Sequence, residues 1–295
     1  MPPPLRLAVT ADLHWGHRSG ETATRRLVAD LHADPPGVLI LAGDLGTGAF
    51  FGECLAMFDS LDCVKALVPG NHDLWVGIDS RYDSLQMYEE ILPRLSAEHG
   101  FHYLDREPLI LPEADLAVVG SINWYDYSWA IDGIRRNFPD DEHRLASKQF
   151  ARGTHNDANF VRWPLDDLSF TSLVTATLRK HLVAALAQAS RAVVVTHHPC
   201  FYGLSFPRNG PPVELDSFLW DAFAGNVGVE QVLAEFAPRI AMAFSGHTHR
   251  ERHTTWQGIE GYNVGSDYPV KRLLRVEWPS MRVEGTTFEA TGEVG

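Results

Sequence analysis

The stretch LRLAVTADLH, residues 5–14, decides the reading of the fold. Its first six residues form a short apolar run bounded by turn signals, which suits a buried strand better than a helix. The run then breaks into Asp12 and His14, two side chains able to hold a metal. The same pattern recurs four times. VLILA (38–42) runs into Gly43-Asp44, and CVKALV (63–68) runs into Pro-Gly followed by Asn71, His72 and Asp73. RAVVVT (191–196) runs into His197-His198-Pro199, and IAMAF (240–244) runs into Ser-Gly-His247-Thr-His249.

Between the first three runs lie segments of helical character. Residues 21–34 place Leu27, Val28 and Leu31 on one face, and residues 50–61 also read as helix. Strand–helix–strand alternation implies right-handed crossovers and largely parallel pairing. Ligands of such sheets sit beyond the carboxyl ends of the strands, so five distant polar clusters are expected to converge on one rim. Asp-x-His and His-x-His on extended backbone would each point both side chains to one side.

Further along, residues 81–100 read as helix, 101–119 as short strands and 171–189 as helix. Residues 121–170 are rich in aromatics, Asp and Asn without clean periodicity, which predicts an irregular, cap-like insertion. Residues 200–228 contain Pro and Gly and predict a second long loop. After His249 the segments ERHTTWQ, GIEGYNV, LLRVEW and MRVEGTTFEA suggest a second, partly antiparallel sheet packed on the first. The fold expected is α/β, a four-layer α/β/β/α sandwich of two mixed sheets flanked by helices, as one domain over residues 1–295.

Composition narrows the partners. The chain has 295 residues, 45% hydrophobic, with a net charge of −13. A non-specific nucleic-acid binder needs Lys and Arg to displace counterions, so the balance disfavours one. It does not exclude a small phosphorylated molecule, because bound cations invert the local field. Cys54, Cys63 and Cys200 are odd in number and fit no disulfide or zinc framework, which suggests reduced thiols and a cytoplasmic location. The start, MPPPLRLAVTADLHW, lacks signal-peptide character. No apolar run approaches the ~18 residues of a membrane span.

The residues at the five run ends are Asp12, His14, Asp44, Asn71, His197, His247 and His249. All offer O or N donors, which suit Mn, Fe or Zn better than Ca. They exceed what one metal needs but suit two sharing a bridge. Two metals ~3.5–4 Å apart activate a water and clamp a phosphoryl group.

Asp12-x-His14, Gly43-Asp44, Gly70-Asn71-His72-Asp73, His197-x-Pro199 and Gly246-His247-x-His249, in that order, resemble the calcineurin-like metallophosphoesterase family. The resemblance implies a dinuclear-metal phosphoesterase acting on mono- or diesters by in-line attack of a metal-bridging hydroxide. Asp12, His14, Asp44 and His249 would hold one metal; Asp44, Asn71, His197 and His247 would hold the other. His72 would contact the phosphate and protonate the leaving alkoxide, oriented by Asp73, and a His held by a carboxylate is a standard general acid.

Other candidates have a structural reading beside the functional one. His198 is either a substrate contact or simple structure. In the insertion, Trp124, Tyr125, Tyr127 and Trp129 either stack on an aromatic leaving group or pack a cap on the core. Arg135, Arg136, Arg152 and Arg162 either pair with phosphate or lie on the surface, and His155, Asn156 and Asp157 form a polar cluster. A small phosphorylated metabolite or nucleotide is the expected substrate, with a phosphoprotein open. The alternatives are a nuclease, which needs a basic groove, and a non-catalytic scaffold, which would be expected to lose ligands or His72.

Overall fold

Alternation within the apolar runs sorts the core. In VLILA, Val38, Ile40 and Ala42 face one side and Leu39 and Leu41 the other, and all five are buried. A strand apolar on both faces must lie between two packed layers. The computed structural model, which describes residues 4–206, 210 and 213–290, has this arrangement. The strands are β1 (Leu5–Thr10), β2 (Val38–Ala42), β3 (Val64–Val68), β4 (Phe101–Tyr103), β5 (Leu109–Leu111) and β6 (Leu116–Ser121). They continue as β7 (Arg191–Thr196), β8 (Ile240–Ser245), β9 (Arg252–Trp256), β10 (Ile259–Asn263), β11 (Val270–Trp278) and β12 (Arg282–Glu289).

Two six-stranded mixed sheets result, ordered β12-β11-β1-β2-β3-β4 and β5-β6-β7-β8-β10-β9. Val9, Ile40 and Val68 of the first meet Val118, Val193, Val195 and Phe244 of the second in the central core. Helices Glu21–Ala33 and Ala49–Ala56 flank the first sheet, and Asp167–Leu186 and Val227–Phe236 cover the second. The expected α/β fold of two mixed sheets flanked by helices is therefore present. Among the described residues no helix is long and apolar enough to cross a membrane.

The structure departs from the expected arrangement in two places. The strands after His249 do not form the second sheet by themselves. β9 and β10 extend a sheet built on β5–β8, whereas β11 crosses back to lie antiparallel on β1, pairing Leu7 with Val276. Leu274 and Val276 of β11 join the central core, which explains why it covers the open edge of β1. The expected loop 200–228 contains helix Leu215–Ala222, and helix Val227–Phe236 begins at its end, capped by Asn226, whose side chain accepts from the Val229 N–H at 2.8 Å. Residues 207–209 and 211–212 of that loop, with 1–3 and 291–295, lie outside the described residues. The insertion packs on the core, which is the structural reading of its aromatics. It carries short helices Ile131–Asn137, His143–Ser147 and Asp157–Phe160, and Trp124, Tyr125, Tyr127 and Phe150 enter the core on the outer face of the first sheet.

Candidate functional site

Both sheets present their carboxyl ends to one rim, and the chain turns sharply there. Asp12 (φ 53°), His14 (φ 44°), Asp44 (φ 55°), His247 (φ 71°) and His249 (φ 55°) all have left-handed backbone. This corrects the expectation of extended Asp-x-His and His-x-His: the side chains converge through successive left-handed turns, not strand alternation. Cross-links between loops hold the turns. The Asp12 N–H donates to the Gly43 carbonyl and the His14 N–H to the Asp44 carbonyl, both at 2.9 Å. Across the sheets, the Gly246 N–H donates to the His197 carbonyl and the His247 N–H to Asp12 Oδ1, both at 3.0 Å. Gly246 is forced, because a Cβ there would sit 2.6 Å from Asp12 Oδ2.

The seven donors fall into two groups around Asp44. Ligand atoms of Asp12, His14, Asp44 and His249 lie within 4.8 Å of one another. His14 Nε2 faces His249 Nε2 at 3.0 Å and Asp44 Oδ2 at 3.7 Å. On the other side, His197 Nε2 lies 3.3 Å from Asp44 Oδ1 and 3.0 Å from Asn71 Oδ1, with His247 Nδ1 3.3 Å from that same Asn71 oxygen. Tautomers follow from partners that only accept. His197 Nδ1 donates to the Ala42 carbonyl at 3.0 Å, and His249 Nδ1 donates to Asp267 Oδ1 at 3.2 Å, which turns each Nε2 toward the site. Burial lowers His197, but Asp44 and Asp12 outweigh it and push the imidazole up to about 9, so without metal its Nε2 keeps a proton that a cation would displace. Asp12 Oδ2 is buried without a hydrogen-bond partner among the described residues. Two buried carboxylates, an amide oxygen and inward imidazole nitrogens fit a pair of borderline cations.

The electrostatics agree with that donor set. Burial pushes the Asp44 carboxyl up, but His197, His72 and His14 outweigh it and hold the group well below the usual range. Burial raises Asp12 despite His249 and His197. Burial also drives His14 and His247 well below the ordinary imidazole value. The site is thus a desolvated cluster of carboxylates and lone-pair donors, in which an uncompensated charge is costly and a bound cation is favoured.

His72 lies beside this cluster, 18% exposed at the side chain, with Nε2 3.7 Å from Asp44 Oδ2. Its ring stacks on Trp75 at 3.5 Å between centroids. Asp73 does not orient it. The Asp73 carboxylate accepts the N–H groups of Leu45 (2.8 Å), Gly46 (2.9 Å) and Gly70 (2.8 Å), tying the loop after β2 to the loop after β3. The tight turn His72–Leu74 sends these neighbouring side chains in different directions. His198 is fully buried under His247, with ring centroids 4.0 Å apart, and donates from Nδ1 to the Asn123 carbonyl at 2.7 Å.

A cavity of about 510 Å³ opens above the cluster. The insertion supplies Phe150, Arg152, Thr154, His155 and Asn156, helix Leu215–Ala222 supplies Trp220, and loops supply Phe206, Arg250, Asp267 and Tyr268. Arg152 and Asn156 line it, and Arg162 does not. Trp124 and Tyr125 are fully buried below it, donating to Asp167 Oδ1 (2.9 Å) and Asp157 Oδ2 (2.8 Å), so neither presents a face for stacking. Arg135 is paired with Glu142. Tyr268, stacked on His14 at 4.5 Å, and Asp267 were not visible as site residues, since only the turn before β11 brings them back. A larger cavity, about 850 Å³, lies at the amino ends of the strands around Pro36 and Trp278, far from this chemistry.

A family model described as calcineurin-like phosphoesterase matches residues 5–251. No curated protein sequence matches. Among solved structures, a phosphopantetheinyl hydrolase from Mycobacterium tuberculosis superposes with a TM-score of 0.66 at 18% identity, covering 90% of this chain and 91% of its own. A dimetal phosphatase from Danio rerio gives 0.55 at 14% identity, covering 97% and 99%.

Proposed function

The chain belongs to the calcineurin-like phosphoesterase family, and from that premise we propose that it hydrolyses phosphate esters of small molecules at a dinuclear metal centre. Asp44 carries the reading. Its Oδ1 faces His197 and its Oδ2 faces His14 and His72, so one fully buried carboxylate divides the donors into two sets. Asp12, His14, Asp44 and His249 would hold one ion, and Asp44, Asn71, His197 and His247 the other, as Mn, Fe or Zn. When bound, the ions supply Lewis acidity and lower the pKa of a water.

The remaining work falls to the chain. His72, held by Trp75 and open to the cavity, protonates the departing ester oxygen. The displacement on phosphorus is direct, without a covalent enzyme intermediate. In support, Cys200 is fully buried with its thiol pushed up to about 12, which disqualifies it as a nucleophile. Arg152 and Arg250 line the cavity, and neither has an ion-pair or hydrogen-bond partner among the described residues. In a chain of net charge −13, two free guanidinium groups over a metal floor favour an anionic small substrate. The Phe150, Phe206 and Trp220 wall suits a leaving group with an apolar or aromatic body, such as a nucleotide. A cytoplasmic location is part of this reading, supported by the three free cysteines.

The test is a panel of phosphomonoesters, cyclic nucleotides, diesters and oligonucleotides, assayed with protein reconstituted in Mn, Fe or Zn. Turnover of small esters is expected. Salt-sensitive cleavage of oligonucleotides alone would replace this reading with a nuclease, and no turnover of any ester would end it.

A further inference from the structure

The insertion places one carboxylate where it touches no solvent. Asp157 is 1% exposed, directly below Asn71. Its Oδ1 takes Trp75 Nε1 at 2.7 Å and Asn71 Nδ2 at 2.9 Å, and its Oδ2 takes the Tyr125 hydroxyl at 2.8 Å. His155 Nδ1 lies 3.4 Å from Oδ2.

The orientation of Asn71 follows from donor chemistry. An indole N–H only donates, so Asp157 Oδ1 is an acceptor. The Asn71 group that faces the same oxygen must then be its NH₂. That fixes the Asn71 carbonyl oxygen on the opposite side, 3.0 Å from His197 and 3.3 Å from His247. A flipped amide would aim two N–H bonds at the cation position, where nitrogen has no lone pair to give. The same Oδ1 also anchors Trp75, on which the His72 ring rests.

We propose that Asp157 is a positioning residue of the reaction, aiming the Asn71 oxygen at one metal and, through Trp75, setting the ring of His72. The inference rests on the dinuclear reading above. It gives residues 121–170 a part in building the centre from beneath as well as walling the cavity.

The test compares Asp157→Ala and the near-isosteric Asp157→Leu with Asp157→Asn and Tyr125→Phe. Mn²⁺ binding to the metal-free proteins is followed by calorimetry and elemental analysis, thermal midpoints are recorded, and kcat and KM are taken with p-nitrophenyl phosphate. Asp157→Ala and Asp157→Leu should weaken one of two Mn²⁺ equivalents by about 10–100-fold and lower kcat more than KM. Asp157→Asn keeps an oxygen for Asn71 and Trp75, and the Tyr125 hydroxyl can turn to accept, so both equivalents should return. Tyr125→Phe removes a bond to the other oxygen and should lower the thermal midpoint while keeping both metals.

Two unweakened equivalents in Asp157→Ala or Asp157→Leu would overturn the assignment, as would losses in Tyr125→Phe or Asp157→Asn equal to theirs. Fewer than two equivalents in the wild type would overturn the dinuclear reading and this inference with it. A measurement without substitution covers variants that do not fold. In the Zn²⁺-loaded protein the Asn71 NH₂ protons should show a nuclear Overhauser effect to the Trp75 indole proton, and its absence would refute the orientation.

Discussion

Asp105→Asn should remove a large part of the pH dependence of stability. Asp105 follows β4, where the chain leaves the first sheet for the second. Its Oδ1 accepts the Ile122 N–H at 2.9 Å and the Tyr88 hydroxyl at 2.8 Å, while Oδ2 is buried with no partner among the described residues. Burial pushes the carboxyl up to about 7, and the two hydrogen bonds offset this only in part. The sign follows from linkage. A carboxyl raised above its unfolded value keeps its proton longer in the folded state, so its stabilising contribution is complete below the unfolded pKa and is lost as pH climbs to the folded one.

With an unfolded value of 3.8 and a folded value of about 7, Asp105 alone should take away about 2.5 kcal/mol between pH 5 and pH 8, at 1.36 kcal/mol per pKa unit. Asparagine keeps the Oδ1 acceptor and never ionises. Urea unfolding of both metal-free proteins from pH 5 to pH 8 supplies the comparison, and groups that titrate in both cancel in the difference. The wild type should lose about 2.5 kcal/mol more than the variant over that range. Parallel stability–pH curves would refute the reasoning, since they would mean that Asp105 ionises in the fold as it does in the open chain.

Four further outcomes test the site. His72→Ala should keep its metal content and lose about 10²–10⁴-fold in kcat, most severely on alkyl phosphates with poor leaving groups; unchanged rates on those esters would remove His72 as the acid. Asp44→Asn should lower metal content and activity together, and an active variant with two full equivalents by elemental analysis would count against Asp44 as the bridge. Arg152→Ala and Arg250→Ala should raise KM for nucleotides more than for p-nitrophenyl phosphate, so equal effects on both would detach these side chains from substrate selection. Adding Mn²⁺ at a hundredfold excess over its dissociation constant should stabilise the metal-free protein by about 2.7 kcal/mol per site, and an unchanged unfolding midpoint would argue against tight binding.

The legible parts of this chain were those in which local sequence and final environment coincide. VLILA and RAVVVT read as buried strands because they are buried on both faces; His197 follows the second directly, and Asp44 follows the first after one glycine. Partnership was not legible. Nothing local in VKRLLRVEW says that it will pair with β1 rather than with β10, because that choice rests on a central core assembled from both sheets. Adjacency in sequence misled at Asp73, whose carboxylate points into the backbone while His72 points to the cavity. Composition left two readings open at Trp124 and Tyr125, and only the fold decides for packing: their polar ends meet Asp167 and Asp157 in the core. Tyr268 and Asp267 carry no motif, and only a long-range turn brings them back to His14 and His249.

The backbone of the rim supports a functional site independently of any resemblance. Left-handed conformation disfavours an L-residue by roughly 1–2 kcal/mol and is accommodated most cheaply by glycine. Local preference alone would therefore place glycine at positions 12, 14, 44, 247 and 249, yet the chain carries Asp, His, Asp, His and His there. Asp and His tolerate the region better than most residues, but tolerance does not explain five instances on one rim drawn from both sheets. Strain of this kind persists only where the surroundings over-determine it, and the links from Asp12 to Gly43, His14 to Asp44, and His247 to Asp12 do so. The side chains, not the turns, are what these positions require. Glycine at position 14, where the side chain bonds no backbone group among the described residues and faces His249, should relieve the backbone and still weaken the centre, so in His14→Gly the urea stability of the metal-free protein should rise while Mn²⁺ affinity falls; a fall in both would refute the argument.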